Sequence, residues 1–153
     1  MTLLIRSGLE RDAPIAVDVL RRSISELCRE DHQDDPAEIA SWLENKTEEN
    51  WCLWVNHPDA SVFVAEEYTI LCGVGMARSD GEILLNYVAP ETRFKGVSKA
   101  LLSALEAESS ARGTTLATLE STRTARRFYL ANGYVSEPAG DPMKMKKVLK
   151  ANG

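Results

Sequence analysis

The chain has 153 residues, 44% hydrophobic and 27% charged, the balance of a folded globular protein long enough to bury a core and not that of a disordered tail. Its 18 basic residues against 23 acidic ones leave a net charge of −5, which argues against a nucleic-acid binder, since that needs a broad basic face. No apolar run approaches the roughly twenty residues that span a bilayer, so no membrane association is expected.

The opening Met1-Thr2-Leu3-Leu4-Ile5-Arg6 is too short for a signal-peptide core and reads as a first strand. Asp12-Ala13-Pro14 then starts a helix, with Asp12 near the cap and proline in the first turn. Val17, Leu20, Ile24 and Leu27 recur at helical spacing and give it one apolar face. Asp35-Pro36-Ala37-Glu38 resembles a capping box for a second helix, whose buried side would carry Ile39, Trp42 and Leu43. Trp51 to Val55 fits either a further strand or a packed loop.

Val62–Ala65 and Ile70–Met76 read as strands, and Asp80-Gly81 as the hairpin turn into a strand from Ile83 to Val88 that Pro90 ends. A long helix is expected over Val97–Ala111, stopped by Gly113. A strand (Thr115–Leu119), a short helix (about Thr124–Asn132) stopped by Gly133, and two strands near Tyr134–Ser136 and Met143–Leu149 complete the chain. The order β-α-α-β-β-β-α-β-α-β-β predicts an α+β fold, a mainly antiparallel sheet with helices on both faces. No repeat, low-complexity tract or long linker divides residues 1–153, which read as one domain. The three cysteines, Cys28, Cys52 and Cys72, lie in apolar stretches without metal-ligand spacing, so buried thiols in a reducing cytoplasm and no metal are expected.

Two cationic islands stand out in this acidic chain. Arg93, Lys95 and Lys99 form one, and Arg123, Arg126 and Arg127 the other, an arrangement that suits a small polyanion as well as it suits two solvated helix faces. The first island occupies a turn between a strand and a helix, where unpaired helix N–H groups and the helix dipole favour an anion. Gly96 in that turn puts no Cβ in the way of a phosphate. No Gly-x-x-x-x-Gly-Lys-Ser/Thr segment occurs, which disfavours a P-loop protein.

In this stretch, Arg93-Phe94-Lys95-Gly96-Val97-Ser98, the chain resembles the GNAT acetyltransferase superfamily, whose cofactor motif runs Arg/Gln-x-x-Gly-x-Gly/Ala. Phe94 stands where many members carry an extra glycine, and Ser98 takes the place of the last small residue. A second segment, Ala125-Arg126-Arg127-Phe128-Tyr129 through Gly133-Tyr134, is similar to the family's Ala-x-x-Phe-Tyr-x-x-x-Gly-Tyr/Phe signature, with Thr122 where many members have asparagine.

The resemblance implies a three-layer α/β/α sandwich around a mixed, mainly antiparallel sheet of six to seven strands. It implies acetyl-coenzyme A as co-substrate, its pyrophosphate on the N–H groups between Phe94 and Lys99, with Arg93, Lys95, Gly96, Val97 and Ser98 in the cradle. The acyl-pantetheine arm would pair with Val88 and Ala89, whose amides could stabilise an oxyanion, and would touch Thr122. Tyr129 matches the family's general acid; the plainer reading packs it beside Phe128. Glu82 lies eleven residues before Arg93, the spacing of a strand glutamate used as base by some relatives; the plainer reading is a solvated carboxylate after the Asp80-Gly81 turn. His32 and His57 are further proton carriers or simply surface.

The acidic stretch from Glu26 to Glu38 borders the region that holds the acceptor in the family, and an acidic rim would attract a cationic amine. The expected activity is acetyl transfer to a primary amine of a small molecule, by direct attack on the thioester. The alternatives are a protein or peptide acetyltransferase and a non-catalytic coenzyme A-binding module. Exposed strand edges would allow a homodimer.

Overall fold

The computed structural model describes residues 2–150; Met1 of the predicted first strand and residues 151–153 lie outside it. Seven strands form a single sheet, β1 (Leu3–Ser7), β2 (Ala60–Glu67), β3 (Ile70–Arg78), β4 (Glu82–Val88), β5 (Leu116–Glu120), β6 (Val135–Ser136) and β7 (Lys144–Val148). They lie in the order β1-β2-β3-β4-β5-β7-β6. Every neighbouring pair is antiparallel except β4 and β5. The helices are α1 (Ala13–Leu27), the single turn α2 (Arg29–His32), α3 (Pro36–Leu43), α4 (Glu48–Val55), α5 (Val97–Ala111) and α6 (Arg126–Ala131).

The central strand β3 is buried on both faces, and its alternation explains how. Gly73, Gly75 and Ala77 point one way, Cys72, Val74 and Met76 the other. A Cβ added at Gly73 would lie 2.7 Å from Val97 and 2.9 Å from Leu101, so these glycines let α5 settle directly on the sheet. The other face receives α1 through Ala16, Val17, Leu20 and Ile24, with Trp51 of α4 beside them. Each fully buried leucine here, such as Leu20 or Leu101, contributes about 2–3 kcal/mol by leaving water. Gly81 is fixed by contact and by φ: at +94° it turns β3 into β4, and a Cβ there would stand 2.2 Å from the Leu116 carbonyl oxygen of β5.

Four local expectations change. Trp51–Val55 is neither strand nor loop but most of α4, which Thr47 caps by accepting the Asn50 N–H at 3.2 Å. Trp51 is fully buried there and donates Nε1–H to the Leu9 carbonyl at 2.8 Å. Asp12 does not cap α1; its carboxylate turns back to the Leu9 N–H (2.8 Å) and forms a two-pronged pair with Arg6 at 2.8 and 2.9 Å. The capping box of α3 is half made: Asp35 accepts from the Ala37 N–H, while Glu38 accepts from the Trp42 indole instead. Ile39, Trp42 and Leu43 are only half-buried, because α3 packs on α1 rather than on the sheet.

Candidate active site

β4 and β5 pair only at Glu82 with Thr118 and Ile83 with Leu119. Just beyond, β4 bulges: Ala77 faces Ile83 and Met76 faces Leu85, so Leu84 has no partner on β3. The two strands then part, and a cleft of about 530 Å³ opens between Leu84–Val88 of β4 and Leu119–Ser121. The first turn of α5 closes one end, α6 one wall, and Ser23, Leu27 and Cys28 at the end of α1 the opposite side.

The β4 edge in this gap is defined by hydrogen bonding. The Ala89 N–H is donated to the Cys72 carbonyl at 2.8 Å. In an antiparallel ladder such bonded positions alternate, so Val88 and Asn86 turn their N–H and C=O groups away from β3 and into the gap. Of the two residues expected to pair with a thioester arm, Val88 offers its amide, and Ala89 has spent its amide on the sheet.

At the end of the cleft, Phe94 (φ 67°) and Gly96 (φ 83°) both take left-handed conformations. They swing the chain so that α5 starts with its N–H groups aimed at the gap. The first internal bond of the helix runs from the Ala100 N–H to the Gly96 carbonyl, which leaves Val97, Ser98 and Lys99 ahead of it as donors. Nothing lies within 4 Å of where a Gly96 Cβ would be, an open cradle beside those donors. Phe94 does at some strain what glycine does freely, and its ring, 90% exposed, stacks under the Arg93 guanidinium at 4.6 Å. Arg93 and Lys99 line the cleft; Lys95 does not. The second cationic island is elsewhere: Arg123, Arg126 and Arg127 are not among the lining residues.

Tyr129 projects from α6 into the cleft wall, 7% exposed, its ring held edge-on between Phe128 (5.1 Å) and Tyr134 (5.6 Å). Tyr134 is fixed in turn by donating its hydroxyl to Glu106 at 2.7 Å. Burial pushes the Tyr129 phenol up to about 12, partly offset by the Asn86 amide beside it, so it stays protonated through the neutral range. Thr122 lines the cleft; its hydroxyl oxygen accepts the Ala125 N–H at 3.2 Å, which leaves the hydroxyl proton to donate.

Glu82 is not brought to the cleft. It sits at the closed end where β4 and β5 still pair, 3.6 Å from Arg78 across a solvent-exposed salt bridge. His32 is a buried structural residue, its Nε2 facing the Ile24 carbonyl at 2.8 Å and its Nδ1 accepting the Asp34 N–H at 3.0 Å. His57 accepts the Asp59 N–H in an exposed turn. The acidic stretch is largely committed to structural hydrogen bonds and ion pairs. Asp31 accepts from the Arg123 N–H (2.6 Å), the Thr124 N–H (3.3 Å) and the Thr124 hydroxyl (2.6 Å). Asp34 pairs with Arg29, and Asp35 caps α3.

The residues missed from sequence are Asn86, Tyr87, Cys28 and Glu120. The register puts Asn86 opposite Gly75 and Tyr87 opposite Val74, so Asn86 looks toward α5 and Tyr87 toward α1. Burial, then the Asp31 charge, pushes the Cys28 thiol up to about 11, against a pull from Arg93. Burial raises the Tyr87 phenol well above its usual range. Glu120 is the one carboxylate that lines the cleft among the described residues, and as the neighbour of inward-facing Leu119 it lies on the α1 side. A polar residue inside the apolar run Ile83–Val88 was the available signal for Asn86.

The cleft at a parallel splay, facing a helix N-terminus and a protonated tyrosine, is that of an acyl-transfer domain. The acetyltransferase (GNAT) domain matches residues 29–149, and the chain belongs to that family. Its fold is similar to that of a GCN5-related N-acetyltransferase from Rhodopseudomonas palustris (TM-score 0.85, 22% identity, 97% of each chain covered). It is also similar to the PaiA N-acetyltransferase of Thermoplasma acidophilum solved with coenzyme A (TM-score 0.82, 22% identity, 97% of this chain and 99% of that one). YncA of Salmonella typhimurium, solved with acetyl-CoA, aligns over 100% of this chain and 97% of its own at TM-score 0.64 and 17% identity. No curated protein matches the sequence. The seven-stranded fold agrees with the expected mixed, mainly antiparallel sheet of six to seven strands flanked by helices.

Proposed function

We propose that the chain binds acetyl-coenzyme A in the splayed cleft and passes the acetyl group to a primary amine of a small molecule. Bound acetyl-coenzyme A supplies an activated acyl group and a good leaving thiolate. The N–H groups of Val97, Ser98 and Lys99, with Arg93 and Lys99 beside them, suit a pyrophosphate. The Val88 and Asn86 amides at the free β4 edge are aligned to donate to a thioester carbonyl and to the charge that develops on it. Tyr129, protonated at neutral pH, is the proton donor for the leaving sulfur. Glu120, on the acceptor side, attracts the incoming ammonium and takes its proton, directly or through water. Solved structures of the Thermoplasma protein with coenzyme A and of the Salmonella protein with acetyl-CoA support the donor assignment. The three free cysteines support a reducing cytoplasm as its place of work.

The acceptor class rests on one observation, the tie made by Asp31. Its three hydrogen bonds join α2 to the turn before α6, and the segments on both sides of that tie line the cleft. A pocket strapped in this way suits a compact amine; an extended peptide needs an open groove there. The test is an acetylation screen over polyamines, amino sugars, amino acids and lysine-bearing peptides, following thiol release. Turnover of free amines is expected. Transfer confined to peptides would overturn the acceptor class, and a protein that fails to bind coenzyme A would overturn the whole reading.

A further inference from the structure

Phe94 is anomalous in both exposure and backbone. At 90% it is the most exposed large apolar side chain among the described residues, and it stands at the mouth of the cleft. Its φ of 67° is one that a residue with a Cβ holds only under strain, and a bulky side chain there is an outlier. Glycine would make the same turn freely, so the turn does not account for the ring. Strain of this kind gathers at ligand clamps and active sites, where binding makes use of it. The Arg93 guanidinium covers one face of the ring at 4.6 Å from its centroid, and the opposite face is open to solvent.

We infer that Phe94 is the stacking platform for the adenine of the coenzyme A donor, so that the nucleotide is recognised as well as the thioester arm. The inference rests on the donor assignment proposed above. A pyrophosphate on the N–H groups of Val97, Ser98 and Lys99 has two exits. The pantetheine arm takes the inner one, along the free β4 edge. The adenosine takes the outer one, toward solvent, and a single ribose separates its base from the phosphates. Phe94 precedes Gly96 by two residues, which puts the exposed ring beside that outer exit. An aromatic face offers a base a stacking partner without any hydrogen bond. Arg93 on the other face holds the ring and keeps a positive charge beside the phosphates. Donor selection follows: an acyl group on coenzyme A is preferred to the same acyl group on a phosphopantetheine arm that carries no nucleotide.

The experiment is calorimetry with coenzyme A and with an analogue lacking only the base, its ribose and phosphates intact. It is run on the wild type, Phe94→Gly and Phe94→Trp, with thermal melts to show that each is folded. Wild type should bind coenzyme A about tenfold or more tighter than the abasic analogue, the scale of one base stacked on an aromatic ring. Phe94→Gly should lose most of that preference while binding the abasic analogue about as wild type does, and should still melt cooperatively, since glycine takes the positive φ without strain. Phe94→Trp should keep the preference, and its loss there would overturn the inference. A Phe94→Gly variant that binds both ligands more weakly by the same factor would make the ring a structural part of the turn, which overturns the inference while the donor assignment stands. A wild type that binds coenzyme A without discriminating the analogue would overturn it likewise. Failure of the wild type to bind coenzyme A would overturn both.

Discussion

Replacing Tyr129 with phenylalanine separates chemistry from packing. The ring keeps its edge-on contacts to Phe128 and Tyr134, at 5.1 and 5.6 Å, so the core around it is retained. What is lost is one proton donor whose pKa has been pushed up to about 12. The raised value keeps Tyr129 protonated through the neutral range, and a thiolate leaving in the same buried cleft is desolvated as the phenolate would be. Tyr129 therefore donates its proton as charge builds on sulfur, and its loss should cost about 10²-fold in turnover, the lower end of general-acid effects. Affinity for coenzyme A should change little, because the interaction strengthens only in the transition state.

The assay is initial thiol release with a saturating amine from the screen, under conditions where a single-turnover measurement shows chemistry to be limiting, with coenzyme A affinity measured by calorimetry. Wild-type rates should climb with pH as the amine, with an ordinary pKa of about 10, loses its proton. No falling limb from Tyr129 is expected below that pH. Wild-type turnover in Tyr129→Phe under these conditions would refute the reasoning and make the residue a packing element.

Gly96→Glu should abolish coenzyme A binding in calorimetry while the protein still melts cooperatively: nothing obstructs the new side chain within 4 Å, and the φ of +83° costs only about 1–2 kcal/mol, but a carboxylate enters the anion cradle. Glu82→Gln should leave kcat/KM unchanged, since Glu82 pairs with Arg78 away from the cleft. Glu120→Gln should lower kcat/KM for a cationic acceptor about tenfold or more at neutral pH, with recovery as pH rises and free amine accumulates. Asp12→Ala should cost about 1–3 kcal/mol in urea unfolding, because it leaves Arg6 only its contacts with Glu66 and the Ser7 carbonyl and strands the Leu9 N–H. The Arg6 pairing holds the folded Asp12 carboxyl below its ordinary 3.8, so this stabilisation is complete above that value and is lost as pH falls through the folded pKa; the difference between wild type and variant should shrink in acid.

What was legible in the sequence was whatever short-range chemistry decides. The bounds of α5 follow from the turn at Gly96 and the stop at Gly113, both with positive φ. The helix carrying Tyr129 ends at Gly133 for the same reason. The run Trp51-Cys52-Leu53-Trp54-Val55 is apolar throughout and too short to show a period, so only the Thr47 cap, one turn upstream, marks it as helix. The functional roles of β4 were hidden because they depend on pairing. Whether Ala89 or Val88 offers its amide is decided by Cys72 on the neighbouring strand, and the exclusion of Glu82 by where β4 and β5 separate. His32 looked like a loop residue, yet the single turn α2 tucks it against Ile24 and Trp42.

The two faces of the sheet divide the work, and this has a consequence for how the protein can change. Side chains from β4 alternate across the cleft, Asn86 and Val88 toward α5, Tyr87 toward α1. In the function proposed above, the α5 side holds the donor by backbone groups and by the Gly96 cradle, which tolerate little change in geometry, and the α1 side, with Ser23, Leu27 and Tyr87, meets the acceptor through side chains alone. Because the ladder between β3 and β4 stands between the two sets, a substitution at Ser23 or Leu27 can reshape the acceptor pocket without disturbing the free amides of Asn86 and Val88. A fold built this way holds one donor constant while acceptors vary. The proposed reaction is confined to the gap after Ile83, where the β4 edge is left unpaired by its parallel neighbour.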